Sequence, residues 1–222
     1  MRNTMNLDEI TFSKQIRDVP AWNINAQEKL KKILVQHGWK SLGVGAEGTV
    51  AMHPAKAYVL KIFNDESKYT NFVEFVQANQ SNQHLPKFSR YVRKVPGTNY
   101  LYVRMEKLLR VTHSQLAAPY LPYLLAMAAI GQHSGIQTLG DDLDMFVLDK
   151  MGDWGFDMPD LLDNSLSDSI YQHAGGYPPE SWFEVVDKLA KHSQDLNITG
   201  WDMHEGNFMR RGKTLVIADP YY

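Results

Sequence analysis

The sequence contains no cysteine, which excludes a disulfide scaffold, a thiolate zinc site and a cysteine nucleophile at once. An excess of one charge is missing too: 23 basic and 25 acidic side chains leave a net charge of −2, too balanced for a protein that coats nucleic acid. Long apolar runs are absent. The most apolar stretch, residues 117–130, carries Pro119 and Pro122 and is shorter than a bilayer span. The first ten residues hold no apolar core of signal-peptide length, and no repeat, low-complexity tract or Gly/Ser-rich linker interrupts the chain. Together these absences predict a cytoplasmic protein with no membrane partner and no direct nucleic-acid partner.

What is present is a chain of 222 residues, 44% hydrophobic and 22% charged, enough for one domain or two lobes around a real core. Asn25 and Glu28 stand in capping-box spacing, and Leu30, Ile33 and Leu34 repeat at helical period as far as Gly38. The period then changes. Residues 42–52 and 57–63 read as a hairpin around a His-Pro turn, followed by a helix over 64–80. Strand signals return at 88–94 and 100–105. Helices are predicted over about 114–131, 139–151 and 180–195, and a last hairpin pairs 208–210 with 214–218. This order predicts an α+β fold with a strand-rich front and a helical back.

Gly43-Val44-Gly45-Ala46-Glu47-Gly48-Thr49-Val50 has the spacing G-x-G-x-x-G-x-V. In a dinucleotide fold such glycines open a helix and an acid follows about 20 residues on. Here strand formers follow, and Lys61 stands where that acid belongs. The pattern fits instead a glycine flap over ATP phosphates with a lysine on the next strand. Strand alternation puts Val59 and Lys61 on one face, so Val50 and Val59 are expected to roof an adenine while Lys61 reaches the phosphates. The lysine needs a carboxylate partner: Glu74 in mid-helix is favoured over Glu66, whose place in the first helical turn is explained by the helix dipole alone.

Near the C-terminus, Asp202 and Asn207 have the D-x-x-x-x-N spacing of a phosphotransfer loop, and Asp219 ends the apolar strand 215–218. Asp202 is the expected base for an acceptor hydroxyl, and Asn207 with Asp219 the expected Mg²⁺ ligands. A metal triad of Asp202, His204 and Glu205 is disfavoured because no second histidine stands at ligand spacing; His204 is expected to brace the loop.

Asp202-Met203-His204, Gly206-Asn207, Met209 and Asp219-Pro220, backed by the flap from Gly43 to Val50 and by Lys61, resemble a protein-kinase-like phosphotransferase. The tail is particularly similar to the early-gene serine/threonine kinases of short-tailed bacteriophages. The resemblance implies a two-lobed kinase fold with an N-lobe over 1–108 and a compact helical C-lobe over 109–222. It also implies ATP and Mg²⁺ as cofactors, host proteins as substrates and the host cytoplasm as location. By the same resemblance Met105 borders the adenine, the backbone of Glu106 and Leu108 bonds it, and Met209 floors it. Small-molecule kinases of the aminoglycoside or choline type share a D-x-H-x-x-N loop, and a kinase-like binding protein without catalysis is a third reading.

The sequence also departs from the pattern. Gly200-Trp201 replace the usual His-Arg before the aspartate, and Pro220-Tyr221 replace Phe-Gly after Asp219. No activation segment is expected beyond Asp219, nor control through its phosphorylation. Residues 134–179 hold nine aspartates, no glutamate and one lysine, Lys150, a net −8 against +6 for the remainder. A solvated acidic face explains this; an electrostatic dock for basic substrates, with Asp141, Asp142 and Asp144 at its centre, is the sharper alternative.

Overall fold

A computed structural model describes residues 24–44, 48–64, 68–94, 99–139, 141–202 and 204–221. The chain separates into two compact units, one of Met1–Val73 with Lys87–Lys107, the other of Glu74–Pro86 with Leu108–Tyr222.

The first unit opens with helix α1 (Ile24–Gln36). Leu30 and Leu34 are buried while Lys29, Lys31 and Lys32 face outward, the stripe that the sequence spacing predicts. Because the helix begins at Ile24, Asn25 lies inside it and does not cap it. It stops where Gly38 takes φ +75°, with Trp39 N–H donating to Leu34 O at 2.9 Å and Gly38 N–H to Val35 O at 3.1 Å. That pairing satisfies terminal carbonyls and requires a left-handed residue at Gly38.

Strands β1 (Lys40–Val44), β2 (Gly48–Met52), β3 (Tyr58–Asn64), β4 (Arg93–Lys94) and β5 (Tyr100–Glu106) form an antiparallel sheet in the order β1-β2-β3-β5-β4. The predicted hairpin is therefore a three-stranded meander, because residues 42–52 belong to two strands, β1 and β2. Ala51, Leu60, Ile62, Tyr100 and Tyr102 on one sheet face join Leu30, Leu34 and Trp39 in a single apolar cluster. The strand expected over 88–94 shrinks to β4 and an isolated bridge at Phe88. Helix α2 (Tyr69–Ala78) is shorter than the expected 64–80, and Tyr69 and Phe72 pack edge-on against Phe88.

The second unit holds β6 (Leu109–Arg110), α3 (His113–Ala117), α4 (Leu121–His133), β7 (Gln137–Leu139), α5 (Asp141–Asp153), α6 (Met158–Leu162), α7 (Asn164–His173), α8 (Glu180–Asp195), β8 (Gly200–Asp202), β9 (Phe208–Arg211) and β10 (Thr214–Ile217). The helical stretch over 114–131, whose apolar part with Pro119 and Pro122 reads as a buried helix pair, divides at residues 118–120 into α3 and α4. Pro122 sits in the first turn of α4, where its missing N–H costs nothing. Helix α8 follows its predicted span, with Trp182, Val185, Val186, Leu189 and Ala190 buried. Its Trp182 Nε1 donates to Tyr123 O of α4 at 3.0 Å. Sheet β10-β9-β6 and the parallel pair β7-β8 complete the unit. Helices α6 and α7 and the β7-β8 pair were not predicted: α6 and the strands are too short to show a period, and α7 lies in the aspartate-rich stretch that reads as solvated charge. The architecture is mixed, antiparallel sheet plus helices, as the element order predicts. Among the described residues no helix is long and apolar enough to cross a membrane.

Candidate functional site

In the first unit the register settles which residues share a face. Val50 pairs with Lys61, and Lys61 with Val103; Val59 pairs with Met105. Directly opposed residues point the same way, so Val50, Val59, Lys61 and Met105 lie together on the face turned away from α1. Val59 and Met105 are buried. The Lys61 ammonium stands 4.2 Å from the centroid of the Tyr69 ring, a contact that favours a cation.

The flap glycines differ. A Cβ on Gly48 would lie 2.6 Å from Ile62 O, whereas one on Gly43 would meet nothing within 4 Å. Strand packing therefore explains Gly48, and no described neighbour explains Gly43. Thr49 Oγ1 donates to Gly43 O at 2.8 Å and links β2 to β1. Gly45 and Glu66 lie outside the described residues. Glu74 falls in the second unit, where its charge acts on His192. Glu106 N–H donates to Lys87 O at 3.0 Å and its Oε1 accepts from Lys87 N–H at 2.7 Å, so an adenine contact from Glu106 falls to its carbonyl. Leu108 opens the second unit.

In the second unit hydrogen bonds tie Asp202 and Asn207 to each other and to the residues on either side of Asp219. Asn207 Nδ2 donates to Asp202 O at 2.8 Å. Asn207 O accepts from Ala218 N–H at 2.8 Å, one residue before Asp219, while Asp202 N–H donates to Pro220 O at 2.8 Å. The loop between bends through a 3₁₀ turn, Glu205–Asn207. Gly206 N–H donates to His204 Nδ1 at 3.0 Å, which puts the ring proton on Nε2, and Nε2 lies 3.5 Å from Asp202 Oδ2. A Cβ on Gly206 would sit 2.7 Å from His204 Cε1 and 2.9 Å from Nδ1, so the glycine makes room for the imidazole. Met209 is half-buried in β9, paired with Val216 and Arg110. Arg110 Nη2 reaches Glu205 Oε1 at 2.8 Å.

Trp201 explains the departure before the aspartate. Its ring is fully buried, and Nε1 donates to Ser193 Oγ at 2.9 Å, which donates to Leu189 O at 2.8 Å. Asp202 is thus carried by a strand whose preceding residue is anchored in α8. Beyond Asp219 the chain turns back: Tyr221 bridges Trp201 and its hydroxyl bonds His192 Nδ1. Burial pushes the Tyr221 hydroxyl up, and burial lowers His192 against the opposing charges of Asp195 and Glu74. Sequence reasoning missed Trp201, Ser193, His192 and Tyr221; an aromatic beside the base was the one available signal.

A metal would have oxygen donors here. With Nδ2 committed to Asp202 O, the Asn207 amide turns Oδ1 to any cation, and Asp219 adds a carboxylate; both are hard donors suited to Mg²⁺. Among the described residues no group of three His, Cys, Asp or Glu that could hold a metal ion is present.

The acidic segment is largely accounted for locally. Asp157 and Asp163 cap α6 and α7, with the Ser165 hydroxyl holding Asp163 below the usual carboxylate range. Asp160 Oδ2 accepts from Asp157 N–H, Asp153 pairs with Lys150, and Asp168 accepts from the Tyr177 hydroxyl. Asp141, Asp142 and Asp144 open α5, and their side chains lie outside the described residues.

No family model and no curated protein matches the chain. One similar solved structure is the ternary complex of streptomycin, ATP and APH(2″)-IIa, at 14% identity over 90% of this chain and 72% of that one, with a TM-score of 0.29. At that score the likeness assigns nothing to this chain.

Proposed function

We propose that this chain is a protein-kinase-like, ATP- and Mg²⁺-dependent phosphotransferase whose acceptor is a serine or threonine hydroxyl of a protein. The observation that carries it is the clamp of Asn207 between the Asp202 carbonyl and the strand end before Asp219. It ties the loop that carries a candidate base, Asp202, and a candidate metal ligand, Asn207, to the strand end that carries the other candidate ligand, Asp219. In this reading Asp202 accepts the proton of the attacking hydroxyl as the oxygen bonds the γ-phosphorus and the bond to the β-phosphate oxygen breaks. His204 presents Nε2–H to Asp202 and orients the carboxylate. Asn207 and Asp219 would hold Mg²⁺, which would supply charge to balance the developing phosphate, and Lys61 would hold the phosphates on the sheet face it shares with Val50, Val59 and Met105. Glu74 is the proposed partner of Lys61, and Met105, Leu108 and Met209 the proposed adenine contacts. The two units are read as the two kinase lobes.

Phage origin, host-protein acceptors and action in the host cytoplasm rest on the resemblance of the tail. Regulation without a phosphorylated activation loop is supported by Trp201, which fills with a buried indole the place of the arginine that would read such a phosphate. A second reading, phosphorylation of a small hydroxylated molecule, is favoured by the Asp202-x-His204-x-x-Asn207 spacing, in which the histidine reaches both Gly206 and Asp202. The test is γ-labelled ATP with bacterial lysate, separated into protein and small-molecule fractions. Label in protein supports the first reading, and label in the small-molecule fraction alone supports the second. ATP consumption with no acceptor labelled in either fraction refutes both.

A further inference from the structure

The second unit also holds a serine–histidine pair that the proposed phosphotransfer does not use. His84 is 1% exposed, with Nδ1 2.8 Å from Leu215 O and Nε2 3.1 Å from Ser181 Oγ. A carbonyl oxygen only accepts, so the ring proton is on Nδ1 and Nε2 keeps its lone pair. The Ser181 hydroxyl therefore donates to Nε2. Gln83 Nε2 donates to the same Oγ at 3.2 Å and Asn82 Nδ2 to Ser181 O at 2.8 Å, which fixes the serine from two sides. Trp182 and Tyr123 close around the imidazole at 5.2 and 5.9 Å. Burial lowers its pKa, so at neutral pH the ring is uncharged, the form a base needs.

A serine needed only to satisfy the imidazole could be buried with it. Ser181 is instead half-buried and lines an open cleft of about 290 Å³ with Asn79, Gln83, Glu184 and Lys188. The histidine stands behind the serine, closed to water, while the serine opens on a space fit for a small molecule. Ser181 also lies in the first turn of α8, where Pro179 at the N-cap makes no side-chain cap. The positive end of the helix dipole favours negative charge at that point. A hydroxyl within reach of a base, and a base oriented by a third group, here the Leu215 carbonyl, are the parts of an activated nucleophile. The polar lining of the cleft suits a polar substrate.

We propose that Ser181 is a nucleophile with His84 as its base, and that it takes the acyl group of a small polar ester bound in this cleft. Ser181 Oγ bonds the carbonyl carbon as its proton passes to His84 Nε2. The bond from that carbon to the leaving oxygen then breaks, and Nε2 returns the proton to the alkoxide. Water repeats the sequence and releases the acid. A fluorophosphonate captures the same hydroxyl: Oγ bonds phosphorus, the P–F bond breaks, and fluoride leaves with the proton passed through Nε2. The test treats the full chain with a fluorophosphonate, maps the adduct by mass spectrometry and follows 4-nitrophenyl acetate hydrolysis before and after. The adduct is expected on Ser181, with ester hydrolysis lost after labelling and in Ser181→Ala. Folded His84→Gln should label about a hundredfold more slowly or worse. Between about pH 7 and pH 9 the labelling rate of the parent should stay level, because His84 is already neutral; an unassisted hydroxyl reacts as its alkoxide and gains about tenfold per pH unit. That profile needs no variant, so it tests the base even where His84→Gln unfolds. No adduct on Ser181, ester hydrolysis undiminished by labelling, folded His84→Gln labelled at the parent rate, or a rate that climbs tenfold per pH unit would each overturn the proposal.

Discussion

Replacing Gly206 by alanine tests the loop geometry through a coupling. The three atoms nearest an added Cβ all belong to His204, the closest at 2.7 Å, so every steric consequence passes through that ring. The ring is half exposed, at 48%, and it swings into water sooner than it compresses. The cost is then the lost Gly206 N–H to Nδ1 bond, about 1 kcal/mol. Against it stands the gain from stiffening the unfolded chain, about 0.5 kcal/mol; Gly206 does not have a positive φ and adds no strain. Gly206→Ala should destabilise the parent by about 0.5 kcal/mol yet stabilise the His204→Ala background by a similar amount, a coupling of about 1 kcal/mol. Urea melts of the four proteins measure it. Additivity within about 0.3 kcal/mol would refute the claim that Gly206 exists to seat His204.

Three further outcomes follow from the structure. His84 is buried, its Nδ1 2.8 Å from Leu215 O and its Nε2 3.1 Å from Ser181 Oγ; burial lowers its pKa, the Leu215 carbonyl opposes and Arg211 adds to the fall. The unfolded chain then binds the proton first, so the contribution of His84 is complete above about pH 6.5 and lost as pH drops below it. His84→Gln should flatten the fall in melting temperature between about pH 7 and pH 5, and an unchanged slope would exclude His84. Gly48→Ala should destabilise by roughly 1–3 kcal/mol, while Gly43→Ala should leave stability alone and raise the KM for ATP; the reverse pattern would contradict the account of the flap. Trp201→Phe, which removes the donor to Ser193 and part of a buried ring, should cost about 1–3 kcal/mol and lower turnover; a variant as stable as the parent would show that Trp201 does not anchor the strand.

The parts of the fold with a long period were readable. Leu30, Ile33 and Leu34 announce α1, and Trp182, Val186, Leu189 and Ala190 announce α8, because a helical stripe needs several turns to stand out. Residues 42–52 misled because Gly43 and Gly48 look alike in sequence, and only pairing reveals that they belong to two different strands. The α6-α7 pair hides within the aspartate-rich stretch, where Asp157 and Asp163 look like solvating charge yet cap helices. At the candidate site, the spacing of Asp202, Asn207 and Asp219 was visible. The bonds that tie them, and the indole of Trp201 held by Ser193, were not, since each links residues that no local pattern connects.

The central claim is that Asp202, Asn207 and Asp219 form a phosphotransfer centre. Its most direct measurement is Mg²⁺-dependent transfer of label from γ-labelled ATP to acceptor by the parent and by Asp202→Asn, with ATP binding and melting temperature followed in both. The account predicts that Asp202→Asn keeps its fold and its ATP affinity and loses transfer by roughly a hundredfold or more. Transfer by Asp202→Asn at the parent rate, or transfer by the parent that is indifferent to Mg²⁺, would contradict it.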